Sequence, residues 1–111
     1  MKFIGFIALI ALAAVAYFAV TARDELEVEE TEAVAACQEL CEIRLVQGED
    51  LSPGPCLDEA VIPNWVCDVA HSPRKSVDDD PVNQCGSFRN KRAAHYIELD
   101  ENCDLIRTDL Q

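Results

Sequence analysis

Residues 31–48 read Thr-Glu-Ala-Val-Ala-Ala-Cys-Gln-Glu-Leu-Cys-Glu-Ile-Arg-Leu-Val-Gln-Gly, and this stretch decides how the rest of the chain folds. Ala33, Ala36, Cys37, Leu40, Cys41, Arg44 and Leu45 recur at spacings of three and four, the repeat of one helix face. Gly48 stands where a residue of positive φ ends a helix. Cys37 and Cys41 therefore leave the same face on consecutive turns. A bond between them closes a small loop and constrains little, so each is expected to reach a different distant segment.

Upstream, Phe3–Val20 is an uncharged run of apolar and small residues behind Lys2. As a helix it measures about 27 Å, close to the roughly 30 Å of a bilayer's hydrocarbon core. Residues 1–22 are read as a signal-anchor or a signal peptide. Val20-Thr21-Ala22 offers a cleavage site, with Ala14-Val15-Ala16 as a second, but the length of the run favours an uncleaved anchor through residues 3–20. Cysteine is missing around residue 22, which removes lipoprotein anchoring. A buried core helix fits poorly, because the remaining chain has three aromatics, Trp65, Phe88 and Tyr96, with which to cover it. Lys2 and the α-amino group favour a cytoplasmic N-terminus and export of the rest.

Residues 23–32 form an acidic stalk or helix start, and 33–111 a cysteine-rich extracytoplasmic domain. Beyond residue 22 lie eight of the nine bases and all 21 acids, a formal charge of −13. Nucleic acid is excluded as a partner by that charge. A chain of 111 residues is also too short for a TIM barrel or a doubly wound α/β enzyme. The expected fold class is α+β: an N-terminal transmembrane or signal helix, then a small disulfide-stabilised domain with one main helix and a short antiparallel sheet.

Export gives the cysteines their meaning. Cys37, Cys41, Cys56, Cys67, Cys85 and Cys103 are even in number, and small exported domains use disulfides as staples. Sequence leaves their connectivity open. A Cys85–Cys103 bridge is one candidate, worth about 3 kcal/mol in the chain-entropy model. The competing use of sulfur is zinc, with Cys37 and Cys41 joined by His71 or His95. Against it stand the C-x3-C spacing and an oxidising compartment, and C-x-x-C is absent.

Trp65–Ala70 alternates and is predicted as a strand. Ala93–Leu99 does the same, while Cys56–Ile62 is ambiguous between helical turn and extended chain. If the two strands pair, His71 and His95 could approach each other and share Asp68 or Glu98 as an acid/base or metal pair. The plainer expectation is a partly buried histidine bonded to backbone or carboxylate. Calcium ligands at Asp78, Asp79, Asp80 and Asn83, or at Asp100, Asn102 and Asp104, lack the glycine and terminal Glu of the twelve-residue loop. Arg74, Lys75, Arg89, Lys91 and Arg92 cluster in the second half, either offsetting internal acids or forming a patch for an anionic protein or glycan partner. The loop Leu51–Leu57, beside Cys56, is the segment a peptidase inhibitor would present.

The stretch Trp65–Arg74, then Asn83-Gln84-Cys85, His95–Glu98 and Asn102-Cys103, resembles small single-span cysteine-rich exported proteins of prokaryotes, archaea in particular. The resemblance spans residues 37–106. It implies an anchored, exported domain and carries over no activity, cofactor or catalytic residue. The functional expectation is a non-enzymatic interaction module. The alternative is a metal-binding or enzymatic domain using His71 and His95.

Overall fold

A computed structural model describes residues 2–111, with side chains from Ile7 onward; the Lys2 charge and the side chains of Phe3–Phe6 lie outside the described residues. Helix α1 runs Lys2–Val46. The chain divides into two compact units, the first ending at Thr31 and the second spanning Glu32–Gln111.

The first unit is helix throughout its described part. An 18-residue window of mean hydropathy 1.7 lies within it, long and apolar enough to cross a membrane and with none of its length buried. Ile10, Val15 and Phe18 are exposed, which fits a membrane anchor or a signal sequence. The acidic residues 23–32 continue the same helix without a break.

The second unit begins with the cysteine-bearing turns of α1. Ala33, Cys37 and Cys41 are fully buried. The helix closes as its sequence predicts: Gly48 has φ +83, its N–H donates to Leu45 O at 3.0 Å, and Glu49 N–H donates to Arg44 O at 3.1 Å. That pair of bonds satisfies carbonyls the helix end would otherwise leave orphaned.

Four strands follow: β1 (Cys56–Ile62), β2 (Trp65–Val69), β3 (His95–Leu99) and β4 (Leu105–Thr108). They lie in sequence order in one sheet. The pairs β1–β2 and β3–β4 are antiparallel, but β2 and β3 run parallel, with Trp65 opposite His95 and Asp68 opposite Glu98. The wholly antiparallel sheet expected from the sequence is thus corrected to a mixed one. Residues 70–94 supply the reason, since a parallel pair needs a crossover of a dozen or so residues and this segment is longer. It holds two short 3-10 turns, Ser76–Asp79 and Pro81–Asn83, and the single-turn helix α2 (Gly86–Arg89). Asn64, at φ +76, turns the β1–β2 hairpin and accepts the Ala94 N–H on its side chain at 2.7 Å.

The pleat sorts side chains onto two faces. One carries Trp65, Cys67 and Val69 with Ile97, Leu99 and Thr108, all essentially inaccessible to solvent. The other carries Val66, Asp68, Tyr96, Glu98 and Arg107. Beneath this second face a smaller core gathers Val66, Cys85 and Ala93, with Cys56 and Tyr96 packed against it.

All six cysteines are bonded: Cys37–Cys67, Cys41–Cys103 and Cys56–Cys85. As anticipated, Cys37 and Cys41 reach separate segments, the middle of β2 and the turn after β3. The Cys85–Cys103 candidate is overturned, because those residues belong to different bridges. Zinc ligation through Cys37 and Cys41 falls as well, since their sulfurs are spent. Arg44 Nη2 donates to Leu57 O at 2.9 Å, adding a polar tie between α1 and β1.

Separate bridges have separable energies. Cys85→Ser and Cys103→Ser are each expected to cost about 2–5 kcal/mol, and the double substitution to cost close to their sum. Thermal unfolding of the three variants checks this, and a double variant no weaker than either single one would contradict the assigned pairing.

Candidate functional site

Each histidine has its own carboxylate. His95 stacks on Trp65 with ring centroids 4.4 Å apart, and its Nδ1 lies 2.7 Å from Asp109 Oδ2. His71 is buried, and its Nδ1 lies 2.8 Å from Asp78 Oδ1. The parallel register sets His95 beside the first residue of β2, whereas His71 lies two residues past the last, a separation of about 20 Å at the usual strand rise. The expected His71–His95 pair is therefore not formed, and neither ring takes Asp68 or Glu98 as its hydrogen-bond partner.

The His71–Asp78 pair closes the crossover. Asp78 also accepts the backbone N–H of His71 and of Lys75, at 3.1 and 2.9 Å. Burial works to raise its carboxyl, but these hydrogen bonds and the imidazole outweigh it and hold the group below the ordinary aspartate value. Gly54 covers the pair. Its φ is +72, and a Cβ there would meet Asp78 Oδ1 at 2.8 Å and Val69 O at 3.1 Å. Leu51, Gly54 and Leu57 are buried, so the inhibitor reading of Leu51–Leu57 fails: an inhibitory loop must project, and this one is packed down. His71 Nε2 makes no hydrogen bond and faces Glu101 Oε2 at 3.8 Å, beside a shallow hollow lined by Lys75 and Asn102.

Of the oxygens weighed for calcium, those of Asp80 and Asp100 are engaged in turns. Asp80 Oδ1 accepts Val82 N–H, and Asp100 Oδ1 accepts both Asn102 and Asp104 N–H. Cys56, Glu59 and Cys85 also lie close together, but the two sulfurs are bonded to each other. Glu59 meanwhile accepts the N–H groups of Gly86 and Ser87 and the Ser87 hydroxyl at the start of α2.

The concavity of note is a groove of about 450 Å³ on the second face of the sheet. Val66 and Asp68 of β2 and Tyr96 and Glu98 of β3 line its floor, with Arg107 of β4 to one side. Phe88 and Arg89 of α2 and Arg74 and Gln84 of the crossover complete the walls. Phe88 meets Tyr96 edge to face at 5.0 Å, which makes one side aromatic. Arg107 Nε donates to Glu98 Oε2 at 2.7 Å, and Arg74 Nη1 to Glu98 Oε1 at 3.4 Å. Arg74 also holds Asp79 at 2.9 Å, so this member of the basic cluster offsets acids within the fold, as expected. Arg89 has no side-chain partner among the described residues and faces the groove.

Asp68 is the unusual group. Its Oδ1 is buried without a hydrogen bond. Desolvation, and then the negative charge of Glu98 on the neighbouring strand, push its carboxyl up to about 8. At neutral pH it is a carboxylic acid, a hydrogen-bond donor on the floor of the groove. The sequence marks it only as one acid within an apolar strand. That Asp68 and Glu98 lie side by side depends on the parallel register, and Arg107 and Asp109 sit in a tail whose strand the periodicity does not reveal.

Comparison with known protein families, curated proteins and solved structures finds no significant match.

Two substitutions separate the roles of Asp68 and Asp78. Asp68 has its folded pKa raised, so its ionisation opposes folding increasingly as pH climbs from about 4 to about 8. Asp68→Asn is expected to raise stability by about 1–3 kcal/mol at pH 8 and to change little below pH 4. Asp78 is shifted the other way, and the stability it contributes is present at neutral pH and lost as pH falls through its lowered value. Asp78→Asn should cost about 1–3 kcal/mol at pH 7, with the difference from the parent shrinking below about pH 4. Denaturant unfolding across this pH range checks both.

Proposed function

We propose that the chain is a single-pass membrane protein whose disulfide-held domain stands outside the cytoplasm and binds a ligand in the Asp68–Glu98 groove without transforming it. The anchor is the apolar run of residues 3–20, and the ligand is a protein or glycan of the cell's surroundings rather than nucleic acid. One observation carries the reading: a helix with an unburied apolar stretch long enough to span a bilayer leads into a domain with every cysteine oxidised. Thiols stay reduced in the cytosol and pair outside it, and exposed apolar side chains gain roughly 1.5–3 kcal/mol each on leaving water.

Binding rather than catalysis is favoured by the way the titratable groups are held. The imidazoles of His71 and His95 sit at opposite ends of the central strand pair, each against a separate aspartate. Glu98 is paired with two guanidiniums. The groove thus offers fixed charges, an aromatic wall and a neutral acid, which select a ligand by its shape and charge.

Cells producing the full chain provide the test. The protein should remain with the membrane through an alkaline carbonate wash. Its cysteines should react with maleimide only after reduction, and a protease applied from outside should digest the domain. Soluble native protein in the cytosol with reactive thiols would overturn the reading.

A further inference from the structure

The chemistry of the groove narrows its occupant, on the reading that the domain is a binding module. The floor strands β2 and β3 are flanked by β1 and β4, so their backbone groups are engaged in the sheet. An incoming peptide finds no edge to pair with there, and recognition falls to side chains. Those side chains are of three kinds. Phe88 and Tyr96 give an apolar wall that a ring can lie against. Glu98, Asp68 and Gln84 offer hydrogen-bonding groups suited to hydroxyls. Arg107 and Arg74 are committed to Glu98 and Asp79, which leaves Arg89 as the guanidinium lining the groove without a side-chain partner among the described residues, on a chain of net charge −12.

That contrast is selective. A single anionic group is drawn to Arg89, while an extended polyanion meets repulsion from the acidic surface around it. The cavity, about 450 Å³, falls near the lower end of small-molecule sites, which run to roughly 300–1,000 Å³. We infer that the groove binds one acidic sugar residue, a hexuronate, with its ring against Phe88 and Tyr96, its hydroxyls on Glu98 and Asp68, and its carboxylate on Arg89.

Asp68 gives this occupant a pH signature. The charged groups around it are Glu98 on β3, Arg107 on β4, Arg74 and Asp78 on the crossover and Arg89 on α2, with the Tyr96 hydroxyl also on β3. While protonated, Asp68 donates a hydrogen bond from the floor. Once ionised, it adds a second negative charge beside Glu98 and opposes the ligand's carboxylate.

The full chain in detergent micelles, titrated with glucuronate and followed by NMR, tests the assignment. Glucuronate should shift the signals of Phe88, Arg89 and Tyr96 and bind about tenfold or more tightly than glucose. Arg89→Gln should weaken it by roughly tenfold or more, the loss of a charge-assisted hydrogen bond. Lys91→Gln, outside the groove, should leave affinity unchanged, and binding should fall between about pH 7 and about pH 9. Equal binding of glucose, tighter binding of a peptide with a free C-terminal carboxylate, or no shift at these residues would overturn the sugar assignment. Because fractionation and thiol labelling are independent of this titration, a failed titration on an anchored, oxidised domain rejects the ligand and leaves the anchoring reading standing.

Discussion

Two sulfur–sulfur bonds leaving consecutive turns of one helix fix everything else in the domain. Cys37 and Cys41 are a helical turn apart and face the same way, so bonding one to the centre of β2 and the other to the turn after β3 leaves the helix no freedom to roll. The buried face of the sheet then has its cover. With Trp65 as the one large aromatic fully buried there among the described residues, apolar area alone would hold the cysteine-bearing turns of α1 weakly. The covalent clamp substitutes for the missing interior. The third bridge does the same for the opposite face, pinning α2 over the small core of Val66, Cys85 and Ala93.

Once both faces are pinned, the groove follows. The crossover that makes β2 and β3 parallel must pass over the second face, and it brings Arg74, Gln84, Phe88 and Arg89 above Asp68 and Glu98. Two acids opposite each other on adjacent strands repel. The structure resolves this by giving Glu98 two guanidiniums and leaving Asp68 protonated. The same crossover is closed at its start by the buried His71–Asp78 pair under Gly54. Stability and the shape of the site thus share residues, and the polar groups are divided between holding the loop and facing the groove.

Much of this was legible in the residue order, and what was not has physical reasons. The helix through Gln47 announced itself by its spacing and by Gly48, and β2 and β3 by alternation. β1 was ambiguous because Asp58 and Glu59 interrupt its apolar residues. The strand Leu105–Thr108 is too short, and too close to the acidic turn before it, for a periodic signal. Strand direction depends on the route of residues 70–94, which no local pattern records. Without direction there was no register, and without register Asp68 and Glu98 could not be seen as neighbours or His71 and His95 as distant. The cysteines told that the chain is stapled, but which pairs form depends on the same route.

The bridges also interlock, for each of Cys37–Cys67 and Cys56–Cys85 spans one end of the other, and Cys41–Cys103 encloses the second. A peptide bond cut anywhere between Cys41 and Cys103 therefore leaves both halves joined by at least one disulfide. A nick in the exposed turns around Asp79 and Val82 would produce no free fragment, and the severed chain would migrate as one piece until its sulfurs were reduced.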